Sequence, residues 1–133
     1  MVSLVLASLV FVSAEAFALD CSKVKIETPS SPKWTEVKQY LSKHMKSNSI
    51  ILRQLIWKNG WYVVEYDSND FEPVINVLKK SSNGYIVKAG WGGMPEEGDS
   101  INDYLAERAK GVPPVLMKCF SPKGEPFANT LSK

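Results

Sequence analysis

The chain has a single histidine, two cysteines and no block of like charge. It also lacks Gly-x-Ser-x-Gly, Walker-type and Cys-x-x-Cys motifs. Each shortage removes a class of chemistry. The lone histidine, His44, lies in a lysine-rich stretch between Lys43 and Lys46. A histidine base needs an orienting carboxylate and a nearby nucleophile, and no recognisable pattern supplies them. His44 therefore reads as an exposed helical residue. One histidine and a bridged cysteine pair cannot build a zinc site, so no metal is expected. The oxygen-rich run Asp67-Ser68-Asn69-Asp70-Phe71-Glu72 lacks the central Gly and distant Glu of an EF-hand, and reads as a solvated turn. No cofactor motif is present. The 16 basic and 14 acidic residues are dispersed along the chain, which argues against nucleic acid as a partner and against a polybasic membrane patch.

No apolar run approaches the roughly 20 residues of a membrane-spanning helix. A shorter one opens the chain. Val2 to Ala14 is apolar, and both Ala14-Glu15-Ala16 and Ala16-Phe17-Ala18 satisfy the small-x-small rule for signal-peptide cleavage. Residues 1–18 thus read as a cleaved export signal, although no Lys or Arg precedes the apolar core. A short membrane anchor and a buried N-terminal helix are the alternatives. Cleavage leaves one domain, residues 19–120, and a flexible polar tail, residues 121–133, with no stable membrane anchor. The expected location is the periplasm or the exterior. In an exported chain two cysteines suggest one bridge, Cys21 to Cys119. Asp20, just before Cys21, argues against lipidation there.

The elements follow from spacing. Ser31 is a helix cap with Pro32 at the first helical position, and Trp34, Val37, Leu41 and Met45 form an apolar stripe. This predicts a helix over 32–46. Asn59-Gly60 between two β-rich runs predicts a tight hairpin. A two-residue turn pairs Lys58 with Trp61, Trp57 with Tyr62, Leu55 with Val64 and Arg53 with Tyr66. One face then meets the helix. The other, carrying Gln54, Glu65, Lys58 and Asp67 beside Ile56, Val63 and Trp61, is expected to be partly wet. A second hairpin runs from Pro73 to Trp91, with Leu78 opposite Val87 and Val77 opposite Lys88. Ser100 caps a short helix that Gly111 stops, and Val115 to Phe120 reads as a last strand.

The expected fold is α+β: an N-terminal helix on a four- to five-stranded, mainly antiparallel sheet built from two hairpins, with a second short helix before the last strand. This layout resembles that of cystatin-like and nuclear-transport-factor-like folds. The likeness is one of plan and implies no function.

Three groups of residues are functional candidates. The first is the Gly-rich, acid-bearing stretch after the second hairpin: Trp91, Gly92, Gly93, Met94, Glu96, Glu97 and Asp99. Two glycines free the backbone, and an aromatic with acids suits the recognition of a protein partner. The second is Trp61, either on an exposed patch with Ile56 and Val63 or covered by later elements. The third is a pocket between helix and sheet lined by Trp34, Tyr62 and Tyr66. Glu65, Glu96, Glu97 and Asp99 could do acid–base work only at a defined separation, which sequence does not show. The expectation is a small exported, non-catalytic binding protein, of the secreted-enzyme-inhibitor or immunity-protein type. The alternatives are a small-molecule binder or enzyme with its pocket at the helix–sheet junction, and an envelope assembly subunit.

Overall fold

The computed structural model describes residues 20–69, 71–93 and 100–122. Residues 1–18, read above as an export signal, the tail beyond residue 122 and the candidates Met94, Glu96, Glu97 and Asp99 lie outside the described residues. A short 3-10 turn at Cys21–Lys23 leads into β1 (Lys25–Glu27), α1 (Pro32–His44), β2 (Ile51–Lys58), β3 (Trp61–Ser68), β4 (Phe71–Ser81), β5 (Gly84–Gly92), α2 (Ile101–Arg108) and α3 (Pro114–Cys119). The five strands form one antiparallel sheet in sequence order, β1 to β5. The α+β class follows.

α1 begins where its cap predicts. Ser31 Oγ accepts a hydrogen bond from the Trp34 N–H at 3.2 Å, and Pro32 occupies the first turn, where a missing N–H removes no bond. The helix ends at His44, two residues short of the expected boundary. Val37 and Leu41 turn into a core with Leu52, Leu55, Tyr62, Val64, Tyr66 and Leu78.

The β2–β3 turn has φ of 51° at Asn59 and 80° at Gly60, the left-handed values an Asn-Gly turn supplies. Lys58–Trp61, Trp57–Tyr62 and Leu55–Val64 pair as the turn dictates. Arg53 does not face Tyr66. The ladder shifts there, and Leu52 takes that place. The shift keeps Leu52 in the core and sends Arg53 outward to an ion pair with Asp67. The same happens in the second hairpin. Leu78 faces Val87 as expected, but a bulge at Lys88 sets Val77 against Ala89. Ala89 is thereby buried and Lys88 exposed.

One expectation is corrected and a second narrowed. Val115 to Phe120 is not a strand, because Val115 to Cys119 belong to α3 and Phe120 ends it. Pro114 fits a first helical turn, Leu116, Met117 and Cys119 are buried, and the Asn102 Nδ2 donates to the carbonyls of Met117 and Phe120, both at 2.7 Å. The sheet takes its fifth strand from β1 instead. The second sheet face is wet only at its margins, where Lys58 and Asp67 are half-exposed and Ile86 is exposed, and its centre is covered. Ile56, Trp61, Val63, Ile75, Val77 and Ala89 pack there against Ile101, Leu105, Leu116, Met117 and Phe120 of the C-terminal helical segment. Gln54 and Glu65, on this face, are buried too, with Gln54 Nε2 donating to Glu65 Oε1 at 3.3 Å and to the Ser121 carbonyl. Helices thus cover both faces. Cys21 and Cys119 are joined by a disulfide that clamps the start of the sheet to the end of α3. Among the described residues, no helix is long and apolar enough to cross a membrane.

Candidate functional site

The sequence singles out Trp91, and the structure places it at the far end of β5, opposite Ile75. It is half-buried. Its indole N–H donates to the Gly93 carbonyl at 3.2 Å, closing the backbone around the ring. Gly93 has a φ of 86°, which only glycine adopts without strain, and its N–H donates to the Pro73 carbonyl at 2.9 Å. The strand end is therefore tied to β4.

Across from Trp91 lies α2. Its Ser100 cap accepts from the Asp103 N–H at 3.3 Å. The helix presents Tyr104 edge-on to Trp91, with ring centroids 4.9 Å apart at 88°. Arg108, one turn on, lays its guanidinium carbon 3.5 Å from the centre of the Tyr104 ring. Trp91, Tyr104 and Arg108 form one contiguous stack, half-buried at the two rings and exposed at the arginine. Arg108 Nη1 also donates to the Tyr104 carbonyl at 3.5 Å, which leaves the remaining guanidinium donors for an anion. The stretch bearing Gly93, Met94, Glu96, Glu97 and Asp99 joins these two anchored ends, Trp91 on one side and Ser100 on the other.

Trp61 is not part of this corner. It is buried under the segment that follows α2, where a Cβ at Gly111 would come within 3.3 Å of its ring, and the Lys79 ammonium lies 5.0 Å from the ring centre. The cross-strand rows Trp61–Lys79 and Ile75–Trp91 are four β4 residues apart, roughly 13 Å at the usual strand rise. The covered alternative holds for Trp61.

Tyr62 and Tyr66 do share the α1 face, with Trp34 packed at its margin. Both tyrosines are buried and engaged. Tyr62 lies between Trp57 (5.6 Å, stacked) and Tyr85 (5.2 Å, edge-on), and its hydroxyl accepts from Lys33 Nζ at 3.0 Å. That hydrogen bond holds the Lys33 ammonium above the usual lysine pKa. The same ammonium stands 4.4 Å from the Trp57 ring centre, while the Trp57 indole donates to Glu27 at 2.7 Å. Tyr66 donates to Asn76 Oδ1 at 2.7 Å, and burial pushes its pKa up to about 12. Burial, and its bond to Glu36 at 3.0 Å, raise the Tyr85 hydroxyl as well. This region is a packed aromatic layer that fastens α1 and β1 to the sheet.

His44 is exposed and stacks on Tyr40, centroids 5.5 Å apart. Among the described residues, no three His, Cys, Asp or Glu side chains gather as a metal site would require. Tyr104 and Arg108 are the site residues that are not among the sequence candidates. Their i, i+4 spacing is the one signal that could have marked them as a stacked pair.

Comparison of the chain with protein-family models, curated protein sequences and solved structures returned no match.

Proposed function

We propose that this chain is an exported, non-catalytic binding protein that recognises and neutralises another macromolecule in the periplasm or outside the cell, as secreted-enzyme inhibitors and immunity proteins do. The observation that carries this reading is the Trp91–Tyr104–Arg108 stack. Trp, Tyr and Arg dominate interface hot spots, and here they are held together, partly exposed, beside the two chain positions that bracket the acid-bearing stretch in sequence. The Cys21–Cys119 bridge supports an oxidising destination. Glu96, Glu97 and Asp99 would meet a basic patch on the partner, and association would then slow with added salt.

The test is capture from envelope and culture-medium extracts with the oxidised protein, beside an Arg108→Glu variant and a Glu96→Lys/Glu97→Lys variant. One enzyme retained by the wild type, inhibited by it, and released by either variant is the expected result. Equal retention by all three proteins removes the site from this corner. A second reading, an envelope assembly subunit, is favoured by one feature: β5, nine residues long, is an outermost strand among the described residues.

A further inference from the structure

The geometry points to self-association through the outer edge of β5: two copies pair antiparallel about a two-fold axis, with Tyr85 opposite Gly92 and Val87 opposite Gly90, so that their sheets become one. This inference rests on β5 itself and not on the binding reading above.

Among the described residues, no strand pairs with the outer side of β5. Which of its backbone groups face outward follows from two hydrogen bonds. The Lys80 N–H donates to the Gly60 carbonyl at 2.7 Å, so Lys80 turns its backbone groups toward β3. Its β5 partner Tyr85 must then turn away from β4. At the other end the Gly93 N–H donates to Pro73, so Gly93 faces β4 and Gly92 faces out. Alternation, reset by the bulge at Lys88, makes Tyr85, Val87, Gly90 and Gly92 the outward residues. All four have side-chain positions on the α1 side. Tyr85 and Val87 pack in that core, and Gly90 and Gly92 face Asn76 and Val74. Ile86, Ala89 and Trp91 belong to the α2 side, Ile86 through its partner Lys79 beside Trp61.

A two-fold pairing must set outward residues against outward residues and keep each face whole. Centring it on Lys88 fails, because Val87 would oppose Ala89 and the lysines would oppose each other. The register proposed satisfies all four outward residues of each copy, for about eight inter-chain hydrogen bonds. It sets large against small: Tyr85 meets Gly92, and Val87 meets Gly90. Ile86, 47 % exposed, meets Trp91 of the second copy, and Lys88 meets Ala89. A lysine on a bulge ordinarily guards an edge against indiscriminate pairing, and here it leaves the self-complementary register open.

The test is sedimentation equilibrium of the oxidised protein from about 1 µM to about 1 mM, a range that brackets weak and moderate dimers. The expected result is a mass that doubles with concentration. Ile86→Lys and Gly92→Pro should each weaken association at least tenfold, about 1.4 kcal/mol. Neither should disturb the monomer: Ile86 is exposed, and a Cβ at Gly92 meets nothing within 4 Å. Isotope-filtered NOEs in a mixed-label sample of the unaltered chain should join Val87 of one copy to Gly90 of the other, which fixes the register even if a variant misfolds. A monomer at every concentration overturns the proposal. So does a dimer indifferent to both substitutions, or one whose inter-chain contacts lie off β5.

Discussion

Gly90 shows how little room single positions leave in this sheet. A Cβ there would lie 2.8 Å from Asn76 Nδ2, and the Asn76 Oδ1 accepts the Tyr66 hydroxyl. Gly90→Ala must displace the amide and loosen that bond, so a loss of about 1–3 kcal/mol is expected in chemical denaturation, the cost of unsettling a buried polar pair. Gly92→Ala, with open space at its Cβ, should cost far less in the same assay. The tyrosines give a pH signature. Burial raises Tyr66 to about 12, and Tyr85 is raised as well, against an ordinary value of 10.0. A group whose folded pKa is raised contributes stability that is full below its unfolded value and lost as pH climbs through the folded one. Denaturation midpoints should therefore hold up to about pH 10 and fall between there and about 12. Tyrosinate absorbance from Tyr66 and Tyr85 should appear only as structure is lost, and Tyr66→Phe, which cannot ionise, should flatten the fall. Early ionisation of both phenols with the fold intact would contradict their burial.

Secondary structure was legible wherever a local rule had no competitor. Ser31-Pro32 and Asn59-Gly60 act through their own backbones, so the start of α1 and the register beside the first turn follow directly. The bulges at Arg53 and Lys88 do not. Each is decided several residues from its turn, by whether Leu52 or Arg53, and Ala89 or Lys88, is buried. α3 escaped because six residues are too few for periodicity to separate helix from strand. β1 has only Lys-Ile-Glu to show, and its place depends on pairing with β2 and on the distant Trp57–Glu27 bond. The candidate site divides the same way. Trp91 and its glycines stand out in the sequence, whereas Tyr104 and Arg108 join them only once α2 packs on β5. The capping of α3 by Asn102 is the element most open to test. Asn102→Ala removes both donors to the helix end and should cost about 2 kcal/mol, at roughly 1 kcal/mol per net bond. Hydrogen exchange should show α3 opening before the sheet does.

Two separate cores, one on each side of a single sheet, make the molecule three layers thick, and the Cys21–Cys119 bridge spans a sequence separation of 98. A loop of that length predicts that reduction, or a Cys21→Ser/Cys119→Ser variant, lowers unfolding free energy by about 2–5 kcal/mol, measured as a shift of the denaturation midpoint. The same bridge has a mechanical meaning. Its two Cα atoms are 5.7 Å apart, and every described strand and the body of each helix lie between the two cysteines in sequence. A pull applied at the segments flanking the bridge passes from sulfur to sulfur, and nearly the whole domain is outside the load path. In a single-molecule stretching experiment the oxidised chain should behave as a knot of almost fixed length. Only after reduction should a hidden reserve of roughly 330 Å pay out, the extended span of the residues enclosed by the bridge.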